Sequence, residues 1–189
     1  VICLQKDTHK SIGIKWDIQI NKDMAQGLFI STNDIVKFTV LNGNLDPDIY
    51  TQYIFQAQQL HIQNYLGTKL YNKINDGIVA GNLAAPYTTL LSVYIKPMVI
   101  HWAMVEFLPY AAYKVSNKGV FKHNSENSTT VEKNEIDFLI EKERDVAQSY
   151  TNRFIDYMSF NQSSFPEYNS NSNADVYPDK DANFTGWVL

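Results

Sequence analysis

Apolar residues recur at three- and four-residue steps through most of this chain, a period that predicts helices rather than strands. The stretch Ile30-Ser31-Thr32-Asn33-Asp34-Ile35 reads as a helix start. Ser31 caps it, Asp34 answers from the third helical position, and Ile30 and Ile35 form a hydrophobic staple. This first helix is expected to run to about Val40 and to break at Asn42-Gly43-Asn44. Asp46 and Pro47 open the next one, with proline at the first helical position, where its missing N–H costs nothing. Along it Ile49, Tyr50, Tyr53, Ile54, Ala57, Leu60 and Asn64 share one face. Gly67 is expected to stop this helix, and a shorter one follows, ending in the Gly-rich loop at 77–81.

From Pro86 to Val115 the apolar residues occupy nearly every side, which places a helix at the centre of a bundle or between subunits. Pro97 and Pro109 predict kinks or breaks in it. Asn117-Lys118-Gly119 supplies turn residues. Thr129 and Glu132 then make a capping box for a long helix reaching about Tyr157. Its inner side carries Ile136, Ile140, Glu143, Ala147, Tyr150, Phe154 and Tyr157, with Leu139 and Val146 widening the stripe. Lys133, Asp137, Lys142, Arg144, Asp145, Asn152 and Arg153 lie opposite. The expected fold class is therefore all-α, a bundle of four to five helices with a loop or short β-hairpin near 115–128 and extended N- and C-terminal arms. The expected division is an N-terminal arm over 1–27, a helical domain over 28–160 and a C-terminal arm over 161–189. Met24 stands directly before AQGLFISTNDIV, so a translation start there would leave residues 1–23 upstream of the mature chain. Otherwise the alternating run IGIKWDIQI suits an arm that pairs with a partner's sheet edge.

An aromatic share of 13% within an apolar content of 44% argues for a packed core. The formal charge of −4 lacks the basic footprint of a nucleic-acid binder. A single cysteine, Cys3, excludes an intramolecular disulfide framework. No run of about 18 uninterrupted apolar residues marks a membrane span, and the first residues lack the pattern of a signal peptide. The histidines, His9, His61, His101 and His123, form no metal-ligand motif. Neither a GxSxG elbow nor an SxxK motif is present. His101 and Glu106 share the apolar helix, and a pocket near them is the alternative reading: an enzyme or ligand-binding bundle whose buried carboxyl has a raised pKa. The leading expectation is no enzyme, with no catalytic residue, cofactor or metal.

Three phrases carry a family likeness: YIFQAQQLHIQNYLGTKLYNKI (53–74), SNKGVFKHNSE (116–126) and EKERDVAQSYTNRFIDYM (141–158). As a set they resemble the head-to-tail connector, or neck ring, proteins of tailed bacteriophages, closest to those of crAss-like phages. The likeness covers about residues 28–160 and maps no active site. It implies a helical subunit that assembles with itself into a ring of twelve copies at the head–tail interface of the virion. The subunit would be made in the bacterial host cytoplasm. Its neighbours would be the portal protein or adjacent neck or tail ring proteins. DNA would pass through the channel without specific recognition, and no membrane would be involved.

The C-terminal stretch SSFPEYNSNSNADVYPDKDANFTGWVL is polar but spaced with aromatics. Ordering such a segment costs about 1–2 kcal/mol per residue, so it needs partners. Phe165, Tyr168, Tyr177, Phe184 and Trp187, with Val188 and Leu189, are the expected partner-binding residues: anchors that plug into pockets of neighbouring subunits while polar spacers run between them.

Overall fold

In a computed structural model of the chain, the described residues are 26–39, 41, 47–111, 113–116, 119–122, 133–170 and 175–181. They build an all-α bundle whose only sheet among those residues is a two-stranded hairpin. The helices are α1 (Thr32–Phe38), α2 (Pro47–Ala57), α3 (Gln63–Val79), α4 (Tyr87–Leu90), α5 (Lys96–Ala111), α6 (Lys133–Phe160) and α7 (Pro166–Asn169). Two wide π-turns, Gln58–Ile62 and Leu91–Ile95, join α2 to α3 and α4 to α5 without leaving the helical path. The hairpin pairs β1 (Tyr113–Ser116) with β2 (Gly119–Lys122), antiparallel across a two-residue connection. Residues 1–25, the Asp46 cap and the Thr129–Glu132 capping box lie outside the described residues.

At α1 the sequence reading holds. The Ser31 hydroxyl accepts from the Asp34 backbone N–H, while the Asp34 carboxylate accepts from the backbone N–H and hydroxyl of Ser31. Ile30 and Ile35 are both buried. Burial alone would raise the Asp34 pKa; the Ser31 hydrogen bonds and the Lys96 ammonium, 3.3 Å away, outweigh it and hold the carboxyl below the usual 3.8. A depressed carboxyl stabilises the fold above its unfolded-state pKa and loses that contribution as pH falls through its folded value. Asp34→Ala should therefore cost about 1 kcal/mol at neutral pH. The gap between the two thermal midpoints should close as the pH drops below about 4; a gap independent of pH would contradict the assignment.

The wide turn at 58–62 changes which residues are buried. Its closing bond runs from the Gln63 N–H to the Gln58 carbonyl, one residue further than in an α-helix. That extra residue rotates the stripe, so Ile62, Tyr65 and Leu66 enter the core in place of the expected Leu60 and Asn64. Leu60 is 51% exposed, and Ile49, also expected on the inner face, is 48% exposed. The second wide turn ends at Ile95, two residues before Pro97, and of the kink or break expected there no break occurs: Pro97 stands in the first turn of α5 on a continuous helical path. Pro109 sits in the last turn of α5, two residues before its end.

The central helix is as two-sided as its composition demands. Met98, Val99, Trp102, Ala103, Met104 and Phe107 are all buried, with α6 packed along one side of α5 and α2 along another. The run Tyr87–Ala111 is long and apolar enough, by length and composition, to cross a membrane, but 56% of its most apolar window is buried inside the chain. On α6, Ala147, Phe154, Tyr150 and Tyr157 face inward as expected, joined by Thr151, Ile155 and Met158. Leu139 and Val146, expected to widen that stripe, are exposed instead.

Candidate functional site

Gly67 has φ 72 and ψ 157 inside α3, a conformation open in practice only to glycine. The helix is broken there, and the Asn64 carbonyl and Thr68 N–H, which an unbroken helix would pair, each need another partner. Both find it in the C-terminal segment, more than a hundred residues away. Thr68 donates its N–H to the Val176 carbonyl at 3.0 Å, and the Asp179 N–H donates to the Asn64 carbonyl at 2.8 Å. The Val176 N–H donates to the Thr68 hydroxyl at 2.9 Å. Pro178 is buried directly over Gly67, where a Cβ would meet its ring carbons at 2.6 Å. Residues 175–181 thus form a strap that closes the gap in the helix.

Three hydrogen bonds at about 0.5–1.5 kcal/mol each do not offset the ~7–14 kcal/mol of ordering seven residues. Side chains supply the rest. Lys180 lies over the rings of Tyr168 and Tyr177, at 5.0 and 5.6 Å from their centroids. Its ammonium also donates to Asn169, and Lys69 donates to the Ser170 carbonyl. Pro178 has its φ fixed before folding, which lowers the cost further.

Of the expected anchors, Phe165 and Tyr168 therefore serve their own chain. Phe165 is fully buried, edge-on to Tyr87 and Tyr157, and Tyr168 meets Phe154 edge-on. No surface of either remains for a neighbouring subunit, which corrects their expected role; the cause is that α7 folds back onto α3 and α6. Burial, followed by the nearby charge of Asp179, pushes the Tyr168 phenol up to about 12. Burial and a 2.6 Å hydrogen bond donated to Glu167 push the Tyr87 phenol up to about 12. Tyr177 is 59% exposed. Phe184, Trp187, Val188 and Leu189 lie outside the described residues. Of the arm expected over 161–189, the described residues, 161–170 and 175–181, are fastened to the body.

The amino-terminal side of the domain is held on the same helix, α3, and on the wide turn that precedes it. Gln58, fully buried at the wide turn, accepts from the Phe29 N–H at 2.7 Å and donates to the Gly27 carbonyl at 3.1 Å. Asn75 accepts from the Gly27 N–H at 2.8 Å. Nothing in the sequence singled out Gln58, because a glutamine in a helical stripe reads as a surface residue.

His101 and Glu106, the sequence candidates for a joint pocket, are not brought together. His101 Nδ1 meets Glu143 at 2.8 Å and stacks on Tyr150, whereas Glu106 meets His61 Nε2 at 2.8 Å and accepts from Gln56. Five residues apart on a helix, their side chains point to different neighbours, α6 for one and the α2–α3 turn for the other. His61 in turn stacks on Trp102, whose indole donates to the buried Thr151 hydroxyl at 3.1 Å. These pairs fasten α5 to its neighbours. Among the described residues no group of three or more His, Cys, Asp or Glu is placed to hold a metal ion.

Fold and contacts together define a helical domain of interlocked elements, fastened at both ends onto one broken helix. The chain belongs to DUF6712, a family of unknown function, whose model matches residues 62–178. The match runs from the last residue of the first wide turn to the proline over Gly67, so it takes in the break in α3 and the first four residues of the strap, 175–178. No curated protein and no solved structure matches the chain.

Proposed function

We propose that the chain is a structural virion protein: the subunit of a ring in the neck of a tailed phage, joining portal to tail and extending the DNA channel. The likeness of its three phrases to neck ring proteins motivates the reading, and one structural observation carries it. Large apolar side chains stand exposed on separate elements, among them Tyr110 on α5, Phe138 and Leu139 on α6, and Phe160, which is 88% exposed at the end of α6. A closed ring needs two different adhesive faces on each subunit, and apolar residues spread over several elements supply more than one. Twelve copies is the number the likeness implies. The role calls for no catalysis, cofactor or membrane, and a mildly acidic wall lets DNA slide without being gripped.

Mass measurement and imaging of the purified chain test this. Rings are expected, and a discrete ring between portal and tail in intact particles; a chain that stays monomeric at high concentration and binds neither portal nor a neighbouring ring protein overturns the reading. Exchanging Phe138 and Leu139 together for Glu should leave stability within about 0.5 kcal/mol per site, since both are exposed, while abolishing ring formation.

A further inference from the structure

A cleft of about 230 Å³ lies between α1, the second wide turn, α5 and α6. That is below the ~300–1,000 Å³ of sites for whole small molecules, and suits one large side chain. Its walls are Phe38, Pro97, Ile100 and Tyr150. Phe38 is 64% exposed, an aromatic with little of its own chain against it. One polar group in the lining is oriented. His101 is held by its Nδ1, which donates to the Glu143 carboxylate at 2.8 Å. Lys96 and Asp34 at the rim neutralise each other at 3.3 Å. The cleft is thus an aromatic slot with its charges paired and the polar groups of Ser92 and His101 in its lining, a match for an indole, a large aromatic ring with a single polar N–H.

We propose that this cleft receives Trp187 from a second copy of the chain. The strap roots residue 181 on α3 and α7, and neither helix contributes to the cleft. Beyond that root run Ala-Asn-Phe-Thr-Gly-Trp-Val-Leu, eight residues without a charged side chain, suiting a slot in which Asp34 and Lys96 are paired with each other. Trp187 is six residues past Asp181 and reaches up to about 20 Å from it, enough to cross to an adjoining subunit. The indole fills the slot with its N–H toward the polar groups of the lining, and Val188 and Leu189 lie against the exposed face of Phe38. This deepens the ring reading by naming one contact between subunits, and depends on that reading only for the occupant being a second copy.

Two measurements separate the parts. A synthetic peptide of residues 182–189 is titrated into the full chain carrying Trp187→Ala. Saturable binding with Kd between about 10 µM and 1 mM is expected. It should weaken at least tenfold when the peptide's Trp becomes Ala, weaken several-fold in a Phe38→Ala chain, and vanish in a Ser92→Trp chain whose unfolding midpoint is unchanged. Absence of saturation, or equal affinity for all chains, overturns the cleft assignment whether or not rings form. A photo-crosslinker at position 38 of the otherwise native chain, in a mixture of ¹⁴N- and ¹⁵N-labelled protein, should then join residues 182–189 in mixed-isotope peptides. Same-isotope products alone overturn the second copy as donor. Peptide binding by a chain that forms no ring would sink the neck reading and leave the cleft standing.

Discussion

Replacing Gly67 by alanine will unfasten the strap and destabilise the domain by about 3–5 kcal/mol. Two costs add. The backbone at φ 72, ψ 157 penalises any side chain by ~1–3 kcal/mol. The new Cβ also falls 2.6 Å from two ring carbons of Pro178, so the strap must lift, releasing the Thr68–Val176 and Asn64–Asp179 bonds. Each lost bond leaves helix groups to find water or go unpaired, at about 1 kcal/mol or more apiece. Urea unfolding measures the total, and amide exchange at Thr68 and Asp179 localises it. Adding Pro178→Gly to the alanine variant should recover the part due to the clash but not the part due to backbone strain. The two substitutions should therefore couple by more than about 1 kcal/mol in a double-mutant cycle. A Gly67→Ala protein with a protected Thr68 amide and wild-type stability would show that the strap is not held by the break.

Gln58→Leu will cost about 2–4 kcal/mol, although the replacement is apolar, similar in size and fully buried. The glutamine side chain takes one backbone donor, the Phe29 N–H, and serves one backbone acceptor, the Gly27 carbonyl. Leucine leaves both without partners where water has little access, so the penalty is the desolvation of two peptide groups rather than the loss of two average bonds. Gln58→Glu separates the two ends: its carboxylate keeps the Phe29 bond, loses the Gly27 bond and buries a charge, so it should be at least as harmful as leucine at neutral pH. The Phe29 amide should lose exchange protection in the leucine variant. Stability within about 0.5 kcal/mol of the native chain would mean that residues 26–30 are held by other contacts.

Both predictions concern contacts that a linear reading does not reach. Helix starts are local: Ser31 and Asp34 are three residues apart, and the proline of α2 stands in its own first turn, so the chain announces them directly. The central place of α5 was equally legible, because a helix apolar on all sides has nowhere else to go. The inner face of α6 was read correctly for Ala147, Phe154 and Tyr157, but Leu139 and Val146 depended on whether a neighbour covers them, and none of the described elements does. Periodicity also assumes an unbroken α-helix, and one wide turn at 58–62 was enough to move the buried stripe from Leu60 and Asn64 to Ile62 and Leu66.

For the candidate site the division is sharper. The sequence by itself determined that Gly67 interrupts a helix and that the C-terminal stretch needs partners to be ordered. Tertiary structure decided that each is the other's partner, and likewise that His101 pairs with Glu143 and Glu106 with His61, not with one another. The physical reason is separation along the chain. A cap or a stripe is written within one or two turns, whereas the strap joins Thr68 and Val176, 108 residues apart, and Asn64 and Asp179 largely through main-chain groups that every residue carries, and such groups leave no mark in the sequence of side chains.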